Sequence, residues 1–63
     1  MNYEKLRLLM FKEHSNKLRV SKGANVSYPT LVNWEQGRST PTLTTVNKIA
    51  SYFGVPVSYF LDD

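Results

Sequence analysis

Apolar residues along the 63-residue chain recur every three or four positions, which is the spacing of amphipathic helices. No stretch shows a strand-like alternation of convincing length. The pattern predicts five helices, covering about residues 3–12, 17–22 or 17–23, 28–36, 42–53 and 56–61. The sequence therefore predicts an all-α domain, with one domain covering residues 1–63.

Residues that begin and end helices stand where these predictions need them. Asn2, Asn16 and Ser27 each precede a helix and are expected to cap its N-terminus with their side chains. Asn25 and Gly37 follow the second and third helices, where a left-handed backbone commonly ends a helix. The third helix is therefore well delimited at both ends.

The inward faces of the helices form a predicted core. Trp34 belongs to it because it shares a helix face with Leu31. Ser21 is small enough to let another helix approach closely. The predicted core residues are Leu6, Leu9, Met10, Val20, Leu31, Trp34, Leu43, Val46, Ile49, Ala50 and Phe53.

The other face of the third helix has an unusual composition for a helix surface. It carries Tyr28, Pro29, Val32, Asn33 and Gln36, with no acid among them. A solvated helix face ordinarily carries Lys and Glu. Asn and Gln side chains can pair with adenine in the DNA major groove, and apolar groups can contact the thymine methyl. This face, the recognition strip, is a candidate DNA-reading surface.

The charge distribution is consistent with an anionic partner. The chain has a net charge of +3 and a pI near 9.5, and the acids Asp62 and Asp63 lie at its end. Between residues 17 and 38 the sequence holds four basic residues against the single acid Glu35. Lys17 begins the second helix, where backbone N–H groups favour an anion. Arg38 follows the third helix, beside the expected DNA backbone.

Several function classes find no support in the sequence. There is no Cys, which excludes disulfides and thiolate metal sites, and no apolar run approaches the roughly 18 residues of a membrane span. The N-terminus does not look like a signal peptide. No nucleophile with a base, metal cluster or phosphate-binding Gly loop is present. We expect a cytoplasmic, non-enzymatic protein without cofactor, metal or membrane partner.

The segment 16–37, and above all VSYPTLVNWEQGR at residues 26–38, resembles the helix-turn-helix of the lambda-repressor-like (Cro/CI, xenobiotic-response-element) family. The segments TPTL at 40–43 and IASYFGV at 49–55 resemble the fourth helix of that family and its exit. The resemblance implies a compact five-helix domain, with the helix-turn-helix at about 16–36 and the third helix in the major groove. It implies base contacts from Ser27, Tyr28, Pro29, Val32 and Asn33. It implies phosphate contacts from Asn16, Lys17, Arg38 and Ser39.

The chain departs from the family pattern at several positions. The usual turn Gly is Asn25, which tolerates the same backbone. The usual apolar residue before the second helix is Ser15, and Phe11 or Leu18 is expected to fill the gap. Many relatives pair an Arg of the first helix with the acid at Glu35, but Met10 stands there, so the role of Glu35 is open.

The apolar C-terminal cluster has two interpretations. The cluster consists of Val57, Tyr59, Phe60 and Leu61. Either it closes the core of the monomer, or part of it, namely Val57, Tyr59 and Phe60, forms a two-fold interface, and both can hold. We expect a homodimer through this region, at least on DNA. Its two recognition helices would lie roughly 34 Å apart, matching an operator that is an inverted repeat.

The function expected from these features is that of a stand-alone Cro-like repressor, because the chain stops just after the fifth predicted helix. A DNA-binding domain of a longer CI-type repressor would have the same sequence features. The alternative from a different class is a protein-interaction module, such as an antitoxin or adaptor, that uses the same fold to hold a partner protein.

Overall fold

The computed structural model of the chain describes residues 2–61, so Asp62 and Asp63 lie outside the described residues. It contains the five helices predicted and confirms the all-α fold. Within residues 2–61, no helix combines the length and apolar character needed to cross a membrane. The helices are α1 (Tyr3–Lys12), α2 (Lys17–Ala24), α3 (Tyr28–Glu35), α4 (Leu43–Phe53) and α5 (Ser58–Leu61).

Two of the three predicted side-chain caps are confirmed. Asn2 Oδ1 accepts from the backbone N–H of Glu4 at 3.0 Å, and Asn16 Oδ1 accepts from that of Arg19 at 2.9 Å. Asn25 adopts the expected left-handed backbone, with φ of 58°, and ends α2. These caps fix where α1 and α2 begin and where α2 turns towards α3.

The prediction of Ser27 as the N-cap residue of α3 is confirmed in position, but the cap does not use the Ser27 side chain, which makes no capping hydrogen bond. A capping side chain needs the N–H of the second or third helical residue. Pro29, the second residue, has no N–H, and the N–H of Thr30 donates to the Ser27 carbonyl at 3.1 Å. The Ser27 hydroxyl is consequently not used in capping α3.

The core lies where the five helices meet. Most of the predicted core residues are buried, Trp34 among them, while Phe53 is half-buried and packs against the core. The side chains with no exposed area come from all five helices, and they are Leu6, Val20, Leu31, Val46, Ile49 and Phe60.

The prediction that Leu43 belongs to the core is wrong. Leu43 is 53% exposed, because α4 begins at this residue, at the edge of the core. Pro41, two residues earlier, is buried instead. The Thr42 side chain caps α4 by accepting from the backbone N–H of Thr45. The helix therefore begins at Leu43, one residue later than predicted.

The turn between α2 and α3 is closed by Ser21. Its hydroxyl donates to the Val26 carbonyl at 2.6 Å, and its own carbonyl accepts from the N–H of Val26 at 3.0 Å. The Val26 side chain is buried beneath this turn. Ser21 therefore ties the turn to α2 through two hydrogen bonds with Val26, a role that its small size alone did not indicate.

Gly23 in α2 faces the aromatic ring of Tyr52 in α4. A Cβ added at Gly23 would overlap that ring. Glycine costs about 1 kcal/mol relative to alanine inside a helix. The contact with Tyr52 explains why this cost is tolerated here.

We expect Gly23→Ala to stabilise the protein by clearly less than 1 kcal/mol, or to destabilise it, because the Tyr52 ring must move. In a Tyr52→Ala background the same change should raise the free energy of unfolding by about 1 kcal/mol. Urea denaturation of the four proteins measures both effects. An equal gain in the two backgrounds would show that Tyr52 does not restrict residue 23.

Candidate nucleic-acid interface

The recognition strip lies on the surface of the molecule. Tyr28, Pro29 and Gln36 are exposed, and Val32 and Asn33 are half-buried, so no member of the strip is packed inside the monomer. Ser27 at its margin is exposed as well. Leu31 and Trp34, on the opposite face of α3, are buried. The strip therefore stands outward on a helix whose back is anchored in the core.

Aromatic contacts hold α3 from behind. The Trp34 ring packs edge-on against Tyr3 of α1, with 5.4 Å between centroids, and against Phe60 of α5, at 6.3 Å. Such pairs add roughly 0.5–1.5 kcal/mol beyond the burial of their area. Through Trp34, the helix that carries the recognition strip is thus packed against both α1 and α5.

Glu35, whose role the sequence left open, forms an ion pair with Lys17. The Lys17 ammonium donates to Glu35 Oε1 at 2.7 Å and joins the first residue of α2 to the last residue of α3. The hydrogen bond to Glu35 is the main reason why the pKa of Lys17 lies above its usual value. Lys17 and Glu35 are 18 residues apart in the sequence, so no local pattern indicated the pair.

The acid Glu35 borders the recognition strip. Glu35 and Tyr28 line the same surface groove, together with Tyr3, Arg7 and Lys17; we call it the Glu35 groove. Burial first, and then the charge of Glu35, raise the pKa of Tyr3. The recognition strip itself holds no acid, but it is bordered by one at this edge, where Lys17 compensates the charge of Glu35.

The four predicted phosphate contacts lie in two places. Asn16 and Lys17 line the Glu35 groove, whereas Arg38 and Ser39 are exposed after α3 and do not line it. Gly37, with φ of 72°, reverses the chain after α3, and the Arg38 N–H donates to the Asn33 carbonyl at 2.9 Å. Two groups of candidate phosphate ligands thus flank the helix-turn-helix.

The C-terminal residues predicted at a dimer interface differ in how deeply they are buried. Phe60 has no exposed area and packs against Trp34 and Tyr59. Phe60 therefore closes the core of the monomer, as the first interpretation predicts, and the prediction of Phe60 as a direct dimer contact is wrong because none of its surface is exposed. Val57 and Tyr59 are half-buried, and the Lys5 ammonium lies 5.1 Å from the Tyr59 ring centre. Of the three residues predicted at the dimer interface, only Val57 and Tyr59 have exposed surface for such a contact.

Ser15 stays without an apolar replacement. Phe11 is 83% exposed and Leu18 is 53% exposed, so the expectation that one of them fills the gap is wrong. The Ser15 N–H donates to the Met10 carbonyl at 2.7 Å, but its buried hydroxyl has no hydrogen-bond partner within the described residues. Ser15 thus acts through its backbone in the turn before α2.

Comparisons with known proteins agree with the helix-turn-helix fold. Residues 14–60 match the family model described as Helix-turn-helix. The cryptic phage CTXphi transcriptional repressor RstR of Vibrio cholerae is 34% identical over 59 residues, which cover 94% of this chain. The match covers 53% of the relative, so the chain spans about half its length. No solved structure matches the chain.

Proposed function

Because the chain belongs to the Cro/CI type of helix-turn-helix DNA-binding proteins, we propose that it is a sequence-specific transcriptional repressor of a double-stranded DNA operator. The observation that carries this proposal is the outward recognition strip of α3, with Trp34 anchoring its back. The similarity to a phage transcriptional repressor supports repression of transcription over activation. Such a protein works in the cytoplasm, where the DNA is, and needs neither a catalytic step nor a cofactor.

In the proposed complex, α3 enters the major groove. The amide of Asn33 pairs with the N6 and N7 atoms of an adenine, and Gln36 offers the same chemistry further along the helix. Tyr28, Pro29 and Val32 contact thymine methyl groups. The Ser27 hydroxyl does not cap α3. It is therefore available to contact a base at the edge of the DNA major groove.

Phosphate contacts position the strip without reading sequence. Asn16 and Lys17 contact the DNA backbone at the start of α2, where N–H groups and the helix dipole also attract a phosphate. Arg38 and Ser39 contact it beyond the end of α3. Each neutralised phosphate adds about −0.9 to the slope of log affinity against log salt concentration.

The protein binds its operator as a homodimer in this proposal. Val57 and Tyr59 supply the apolar contacts of a two-fold interface beside α5. A two-fold axis places the two α3 helices one turn of DNA apart, roughly 34 Å, on an inverted repeat.

Selection of bound oligonucleotides from a random double-stranded pool tests the function. We expect an enriched inverted repeat, with half-sites about 10 base pairs apart, whose affinity falls steeply with salt. Enrichment of a single half-site would contradict the dimer but not the DNA binding. Absence of binding at low salt would overturn the proposal and favour the alternative, a protein-interaction module such as an antitoxin or adaptor.

A further inference from the structure

Lys17 and Glu35 both stand at helix ends that disfavour their charges. Lys17 is the first residue of α2, where the helix dipole is positive, and Glu35 is the last residue of α3, where it is negative. Neither charge therefore stabilises its own helix. Each charge is instead compensated by the other, across the 2.7 Å hydrogen bond between the ammonium and the carboxylate.

In the free protein, the Glu35 carboxylate binds the ammonium group of Lys17. The proposed function requires the same ammonium group to bind a DNA phosphate. A carboxylate and a phosphate are both anions, so the Glu35 carboxylate neutralises the charge that a phosphate would meet at Lys17, repels an approaching phosphate and competes with it for the ammonium. We propose that Glu35 holds Lys17 in the free protein as a substitute for a DNA phosphate, and that DNA binding exchanges the carboxylate for a phosphate. This inference rests on the proposed function, and it makes Glu35 a residue that lowers DNA affinity.

The exposure of the pair makes this exchange easy to reverse. The side chains of Lys17 and Glu35 are 25% and 37% exposed, so water and salt screen their attraction. Arg7, the other base in the Glu35 groove, forms its hydrogen bonds with Glu4. Once Lys17 turns to a phosphate, the Glu35 charge stands uncompensated beside Tyr28, where it opposes the DNA.

Glu35→Gln tests the exchange because it removes the competing charge and keeps the shape of the side chain. Glu13→Gln is the matched control, since it removes the same charge from an exposed acid outside the Glu35 groove. At about 50 mM salt, Glu35→Gln should bind the selected operator about two- to fivefold more tightly than Glu13→Gln. The difference should shrink as salt screens the pair.

A Lys17→Met background shows whether the effect passes through Lys17. Lys17→Met alone should weaken binding and reduce the salt slope by about 0.9. In that background, the advantage of Glu35→Gln over Glu13→Gln should be clearly smaller, because only the direct repulsion between Glu35 and the DNA remains to be removed. Equal affinities of the two Gln variants with Lys17 present, or an undiminished Glu35→Gln effect without it, would overturn the exchange, as would weaker binding by Glu35→Gln.

The ion pair itself is measured without DNA. In the free protein, an NMR titration of Lys17 should give a lower pKa in Glu35→Gln than in the wild type, because the carboxylate raises it. An unchanged Lys17 pKa would overturn the inference while leaving DNA binding intact. A wild-type protein that binds no DNA but shows the pKa difference would overturn the proposed function, and the exchange with it.

Discussion

Replacing Phe60 with alanine is expected to unfold most of the protein at 25 °C. The Phe60 side chain is fully buried, and it packs against Trp34 from a helix of only four residues. Phe→Ala changes in cores cost about 3–5 kcal/mol. A single core in a domain of this size rarely supplies more than about 3–5 kcal/mol in total. Circular dichroism with urea denaturation measures the loss.

Leu61→Ala is the matched control for Phe60→Ala. Leu61 is the next residue of α5 but is 48% exposed, so its truncation should change the free energy of unfolding by no more than about 0.5 kcal/mol. Similar losses for the two variants would contradict the placement of Phe60 in the monomer core. They would also reopen the interpretation of Phe60 as a dimer contact.

Asn33→Ala is expected to weaken operator binding by about 5- to 150-fold, because a bidentate amide–adenine pair supplies about 1–3 kcal/mol of base discrimination. Binding to unrelated DNA should change little. The salt slope should stay the same, since no charge is removed. Fluorescence anisotropy titrations with the selected operator and with a scrambled duplex measure the affinity and the specificity.

Asn47→Ala is the control for Asn33→Ala. Asn47 is exposed on α4, in a groove that it shares with Gly23 and Tyr52. The same substitution there should leave operator affinity unchanged. A comparable loss for both variants, or equal losses of Asn33→Ala on operator and scrambled DNA, would contradict a base-reading role for Asn33.

The helices and most of the core could be predicted from the sequence because local signals determine them. Asn2 and Asn16 cap their helices, Asn25 and Gly37 end theirs, and the burial of Trp34 follows from its position one turn after Leu31. Each of these features depends on residues within about one helical turn. The outward position of the recognition strip follows from the same periodicity.

The failures involve contacts that the local pattern does not contain. Leu43 has the spacing of a core residue but lies where α4 starts at the edge of the core. Ser27 has the right residue type for a cap, but Pro29 removes one of the donors that it needs. The burial of Phe60 and the pairing of Lys17 with Glu35 depend on how distant helices meet.

The most direct measurement of whether α3 reads the major groove uses operators with single adenines replaced by 7-deazaadenine. The replacement removes only the N7 acceptor in the major groove. At one adenine in each half-site, we expect the replacement to weaken operator binding by the wild type at least about fivefold. At the same adenine, it should not weaken operator binding by Asn33→Ala any further. If no adenine responds in this way, or if wild type and Asn33→Ala respond equally at every adenine, the recognition strip does not read DNA as described.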